Sequence, residues 1–329
     1  MRGYGRALAL VGYIALFCVV AGEIGIRALY DSFRNYSMEV WRYAADLKQP
    51  LSDDRLPFHH VPNRCGTYYG QEISTNSLGF RGCECDACKP IGKRRIVCLG
   101  DSFTLGWGVR LEQTFSRRLE RMLNETDDSF EIINMGIGNY NTTMEVELFK
   151  SKGLSLEPDM VILAYFINDT EPIPERKSSS TYWAIRHSYF FAFIFDRFVR
   201  LRSRLVKAFE WSTYYRGLYS PENSENLAMN TASFRELVRL CDDNGIGLLV
   251  VNIPELHDLS AYPFSYATDY VRDLAAESSA PFIDLLPALS GYEPESLWVS
   301  QEDPHANATA NAVIAEQIYA RILEEGYFE

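Results

Sequence analysis

The sequence predicts an α/β fold, a three-layer α/β/α sandwich built on a five-stranded parallel sheet. Three observations predict it. Short apolar runs recur along the chain from Arg95 onward, and each is closed by Gly, Asn or Pro, as buried strands are. Amphipathic helical patterns alternate with those runs, which implies parallel strands covered on both faces. The chain has 329 residues, 47% of them hydrophobic, enough to bury a large core.

Taken in order, the chain opens with Arg2 and Arg6 ahead of an uncharged apolar run, Ala7 to Gly22, ended by Glu23. Positive charge before an apolar run favours a cytoplasmic N-terminus, with the remainder of the chain on the outside. At sixteen residues the run is a little short for a spanning helix. It reads as a signal anchor or as a signal peptide cut near Val19-Val20-Ala21. The expected location is therefore membrane-anchored with the catalytic domain outside the cytoplasm, or secreted if the segment is cleaved. Residues 23–90 form an irregular, cysteine-containing extension, and Pro90 and Gly92 mark its end.

From there strands and helices alternate. Arg95 to Leu99 predicts the first strand and Glu112 to Asn124 a helix with Phe115, Leu119, Met122 and Leu123 on one face. Phe130 to Met135 is the second strand, Thr143 to Lys152 a helix, and Met160 to Phe166 the third strand. Residues 170–228 break the alternation with an aromatic stretch, Phe190 to Phe198, followed by Arg200, Arg202, Arg204 and Lys207. This insertion reads as a lid or membrane-facing flap, or as a hairpin packed on the sheet edge. The alternation resumes with a helix (Ser233 to Asp243), a strand (Ile246 to Ile253), a helix (Tyr266 to Glu277), a short strand (Phe282 to Leu285) and a closing helix (Ala306 to Glu324).

In open parallel sheets, ligands bind beyond the carboxyl ends of the strands. That rule sets Gly100-Asp101-Ser102, Gly136 to Asn139 and Asn168-Asp169 on one rim, since each follows a strand. A formal charge of −12 repels phosphate backbones and argues against a nucleic-acid partner. Of seven cysteines, Cys98 and Cys241 fall in apolar patterns and read as packing residues. In an oxidising compartment, Cys65, Cys83, Cys85 and Cys88 predict one or two disulfides, with a metal site or free thiols as the alternatives.

The order Gly100-Asp101-Ser102-Phe103, Asn134-Met135-Gly136-Ile137-Gly138-Asn139, Asn168-Asp169 and Asp303-Pro304-His305 resembles the SGNH/GDSL-like hydrolase superfamily, over roughly residues 93–329. Asn76 to Arg81 (NSLGFR) is similar to a segment preceding this domain in a membrane-anchored bacterial branch. The resemblance implies the flavodoxin-like form of the sandwich and a serine esterase that needs no metal or organic cofactor. It implies Ser102 as nucleophile and His305 as general base, with Asp303 orienting the imidazole. It also implies oxyanion donors from the Ser102 N–H, from Gly138 or Asn139, and from the Asn168 side chain. The glycine position of the second block falls on Asn139, so which of Gly138 and Asn139 donates is open.

Each residue also has a plain structural reading. Ser102 could cap a helix, Asn168 could cap a strand end, and Asp303-Pro304-His305 could be a loop turn. Among five histidines, His257 beside Asp258 is the reserve base. Asp101 and Asp169 read as turn-stabilising side chains. The expected substrate is an acylated glycan, a lipid or a small ester. The rivals are an O-acyltransferase with the same residues and a catalytically idle glycan-binding protein of the envelope.

Overall fold

The computed structural model describes residues 2–30, 35–125, 129–174, 179–206 and 210–328. The helices, in chain order, are α1 (Arg2–Leu29), α2 (Tyr36–Leu47), α3 (Ser102–Leu105), α4 (Phe115–Leu123), α5 (Thr142–Leu148), α6 (Ser179–His187), α7 (Tyr189–Val206), α8 (Trp211–Leu218), α9 (Ser224–Asn244), α10 (Ser265–Glu277), α11 (Leu286–Leu289) and α12 (Ala308–Glu324). Two compact units arise. The first holds residues 1–47, 68–70 and 177–209; the second holds 48–67, 71–176 and 210–329.

The second unit is built on a five-stranded sheet of β1 (Arg94–Gly100), β2 (Phe130–Asn134), β3 (Met160–Tyr165), β4 (Gly247–Asn252) and β5 (Phe282–Asp284). The spatial order is β2-β1-β3-β4-β5 and every pairing is parallel. This is the α/β sandwich that the alternating pattern predicts. The side-chain period of two explains the near-continuous burial of β1. Ile96 and Cys98 enter the core shared with Phe115, Leu119 and Ile318, while Val97 and Leu99 enter the opposite core with Phe149, Phe234 and Leu237. Helices α4 and α12 therefore cover one face, and α5 and α9 the other.

Some boundaries differ from expectation, for local reasons. The closing helix starts at Ala308, because the Asn307 side chain accepts from the Thr309 and Ala310 N–H groups and caps it. Residues 303–306 instead form strand β7 (Asp303–Ala306), antiparallel to β6 (Trp298–Ser300). The helix expected at Thr143 to Lys152 narrows to α5, followed by a wider turn over Phe149–Gly153. The expected disulfides do not form, and all seven cysteines are free. Cys85 turns inward, where Asn76 Nδ2 donates to its sulfur, while Cys65, Cys83 and Cys88 face outward.

The first unit packs α1, α2, α6 and α7 around Tyr30, Met38, Ile185 and Ala192. Helix α1 carries an apolar span, Tyr4–Leu29, whose most apolar 18-residue window has a mean hydropathy of 2.2 and no buried residue. Such a helix is compatible with a signal anchor or a signal peptide. The side chains of Arg200 and Arg204, and all of Lys207, lie outside the described residues.

Candidate active site

The turn after β1 carries the first block. The Asp101 carboxylate accepts from the Phe103 N–H at 2.8 Å and caps α3, which begins with Ser102. The second block follows β2. Asn134 is buried, and its amide donates to the Thr104 carbonyl and to Ser116 Oγ while its carbonyl accepts from the Gly136 N–H at 3.0 Å. That clamp draws the second block against α3. A side chain at Gly136 would not fit, because its Cβ would lie 2.3 Å from the Leu105 nitrogen.

Strand β7 brings the last block to the first. His305 Nε2 lies 2.8 Å from Ser102 Oγ, and His305 Nδ1 lies 2.5 Å from Asp303 Oδ1. Asp303 is fully buried, and its second oxygen accepts from Trp107 Nε1 at 2.8 Å. Burial by itself favours a neutral imidazole, but the Asp303 carboxylate, with Asp101 behind it, outweighs this and holds the His305 pKa above the ordinary histidine value.

Asn168 follows β3 and donates from Nδ2 to Asp101 Oδ2 at 3.1 Å. A side-chain amide has two N–H groups, so a second donor remains on Asn168. Asn139 takes a left-handed φ of 64° and is exposed, with its side-chain oxygen accepting from Lys48 Nζ at 3.1 Å. The Gly138 carbonyl also accepts from Lys48 Nζ. The loop is thus held from outside by a lysine of the extension.

A group of buried acids lies behind these residues. Asp169 Oδ2 accepts from Thr142 Oγ1 at 3.0 Å, while its Oδ1 and both Glu145 oxygens have no partner among the described residues. Burial pushes Asp101 up, against the opposing pull of the Phe103 N–H and His305. It pushes Asp169 and Glu145 well above the ordinary carboxylate range, and neighbouring carboxylates add to the shift. A buried carboxyl without partners is stable as the neutral acid.

His257, the reserve candidate, is not part of this arrangement. It does not pair with Asp258, whose carboxylate caps the turn at Ser260 and Ala261. Its Nδ1 bonds Glu255, and its ring lies 6.1 Å from the Trp211 ring and 5.2 Å from that of Trp298.

Two residues with no role assigned from sequence support the site. Trp107 is one; a tryptophan between Gly106 and Gly108, five residues after Ser102, is the only signal for it. Arg81 is the other. It is 2% exposed, and its guanidinium donates to the Leu105, Gly106, Val109 and Glu72 carbonyls. The NSLGFR segment folds to deliver it: Asn76 Oδ1 accepts from the Leu78 and Phe80 N–H groups, closing the turn just before Arg81. Arg81 thereby secures the loop that carries Trp107.

The model of the GDSL-like Lipase/Acylhydrolase family matches residues 98–313, about two thirds of the chain. Solved structures were also compared. The acetyl xylan esterase AlAXEase aligns at 15% identity over 69% of this chain and 99% of its own, with a TM-score of 0.43. Axe2, an acetylxylan esterase from Geobacillus stearothermophilus solved as a catalytic mutant, aligns at 14% identity over 71% and 96%, with a TM-score of 0.47. TesA aligns at 12% identity over 70% and 98%, also with a TM-score of 0.47. Curated protein sequences contain no match to this chain. With the family pattern running through more than half of its length, the chain belongs to the GDSL-like lipase/acylhydrolase family and is a hydrolase acting on ester bonds.

Proposed function

We propose that this protein is a serine esterase working through a Ser102 acyl-enzyme. The observation that carries the reading is the unbroken chain from Ser102 Oγ through His305 to the buried Asp303. A serine hydroxyl is a weak nucleophile until a base takes its proton. His305 Nε2 is within hydrogen-bond reach to do so, and Asp303 fixes the tautomer and stabilises the imidazolium that results. Ser102 Oγ then bonds to the ester carbonyl carbon. The developing oxyanion faces the Ser102 N–H, a backbone N–H of Gly138 or Asn139, and the second amide hydrogen of Asn168. The intermediate collapses as His305 returns the proton to the departing alcohol. Water, deprotonated by His305, then attacks the acyl-serine; the Ser102 Oγ–acyl bond breaks as His305 returns the proton to Ser102 Oγ, and the acid leaves.

We assign residues 1–22 to a signal anchor or signal peptide, 23–90 to an extension, and 91–329 to the hydrolase domain with a helical insertion at about 170–228. The uncharged apolar run Ala7 to Gly22 within α1, with Arg2 and Arg6 ahead of it, supports a catalytic domain outside the cytoplasm. That location favours an acetylated glycan or another acylated envelope component as substrate.

The test uses the full chain in detergent and p-nitrophenyl acetate. A burst of p-nitrophenol followed by slower turnover, with an acetyl group on the Ser102 peptide after acid quench, is expected. Steady turnover that persists in Ser102→Ala would overturn the reading.

A further inference from the structure

The first unit holds a helix whose exposed face suits a bilayer surface. The apolar run of α1 ends at Gly22, and the next residue reaches across to α7. The Glu23 carboxylate accepts from Ser188 Oγ at 2.9 Å, from the Tyr189 N–H at 3.2 Å and from the Phe190 N–H at 2.9 Å. An acid in that position caps the start of a helix. At Gly22 an added Cβ would lie 2.5 Å from the Phe190 ring, so that ring rests on bare backbone at the last residue of the run. Arg27 pairs with Glu23 at 2.6 Å and lies 4.7 Å above the Tyr189 ring. The first turn of α7 is therefore pinned to the residues that follow the apolar run.

Helix α7 has two contrasting faces. Ala192 and Asp196 are each 2% exposed and turn inward. Phe191, Ile194, Phe198 and Leu201 are 39, 48, 61 and 58% exposed. Their spacings of three, four and three residues line them up on one side of a helix. At about 100° per residue, Arg197 falls on one flank of that stripe and Arg202 on the other. Two arginines beside an apolar stripe, in a chain of net charge −12, point to an anionic ligand at this surface.

We propose that α7 lies in the interface of a bilayer containing anionic lipid. The stripe enters the boundary between headgroups and acyl chains, and Arg197 and Arg202 meet lipid phosphates. The proposal rests on the reading of α1 as a membrane anchor. A bilayer that accepts the apolar run puts Glu23, and hence the first turn of α7, at its surface.

The test uses the full chain in vesicles of phosphatidylcholine with phosphatidylglycerol. Exposed Cys18, Cys65, Cys83 and Cys88 are replaced by Ser, together with half-buried Cys85. One nitroxide is then placed through Phe198→Cys, Leu201→Cys, Val11→Cys or Ile91→Cys, and collisions with a water-soluble nickel chelate are measured. Retained p-nitrophenyl acetate turnover reports folding. Ile91, fully exposed in the second unit, is the aqueous reference, and Val11 reports on the span itself. Labels at 198 and 201 are expected to collide about fivefold less often than the label at 91, at every lipid dilution, and less so when phosphatidylglycerol is omitted. Collisions equal to those at 91, with the label at 11 shielded, would overturn the docking of α7 and leave the anchor standing. Collisions at 11 equal to those at 91 would overturn the anchor and the proposal together. Shielding that fades on lipid dilution would assign the face to a second copy of the chain and equally overturn it.

Discussion

Two histidine–carboxylate pairs stand in the second unit, His305 with Asp303 and His257 with Glu255, and their surroundings differ. In each, Nδ1 bonds a buried carboxylate two residues earlier in the chain, and in each that bond helps raise the imidazole pKa. The far nitrogen separates them. His305 Nε2 meets Ser102 Oγ, whereas His257 Nε2 has no hydrogen-bond partner among the described residues. The His305 carboxylate is also held from behind by Trp107, on a loop that Arg81 secures. A paired histidine is thus no sign of an active site by itself. What distinguishes the His305 pair is a serine hydroxyl at Nε2 and a supported carboxylate at Nδ1.

The comparison can be broken in several places. Ser102→Ala removes the hydroxyl that meets His305 Nε2, and it should cut p-nitrophenyl acetate turnover by about 10⁴-fold or more. Asp303→Asn keeps the shape but removes the charge, and it should cost on the order of 10²–10⁴-fold. Its pH profile carries a sign. The base must be neutral, so activity rises with pH through the His305 pKa. That pKa lies above the ordinary histidine value because of Asp303 and Asp101, so the midpoint should move to lower pH in Asp303→Asn. An unmoved midpoint would mean that another group titrates.

Asn168→Ala should lower kcat by about 10²–10³-fold, the cost of one oxyanion donor. Trp107→Phe should lower it by about tenfold, since Asp303 loses one hydrogen bond of the charge-assisted kind. If Trp107→Phe matched wild type, the support behind Asp303 would be irrelevant. The smallest effect sharpens the contrast: His257→Ala should leave turnover of the small ester within about twofold, as a surface substitution would. A loss comparable to that of Ser102→Ala would move the chemistry to the other pair.

These predictions divide along what the sequence made legible. The sheet was legible because each buried strand is a short apolar run ending in a turn residue. Ser102, Asn168, Asp303 and His305 were legible because they follow such runs or share a short motif. Trp107 and Arg81 were not, because their partners are set by tertiary closure: Trp107 meets Asp303 at a separation of 196 residues. Glu145 reads on paper as an ordinary helix glutamate, and only the packing of α5 shows its carboxyl to be buried without a partner among the described residues. The cysteines misled because a rule about compartments says nothing about direction, and Cys85 turns toward the core. The long break at residues 170–228 was legible as a break, but its amphipathic stripe and the Glu23 cap needed coordinates.

The most direct test of the account is covalent. Full-length protein would be treated with a fluorophosphonate, and the modified peptide would be located by mass spectrometry. A single adduct on Ser102, slowed in His305→Ala and unchanged in His257→Ala, is the predicted result. A folded wild-type protein that takes up no label, or takes it up at another residue, would contradict the claim that the pairing with His305 and Asp303 makes Ser102 a nucleophile.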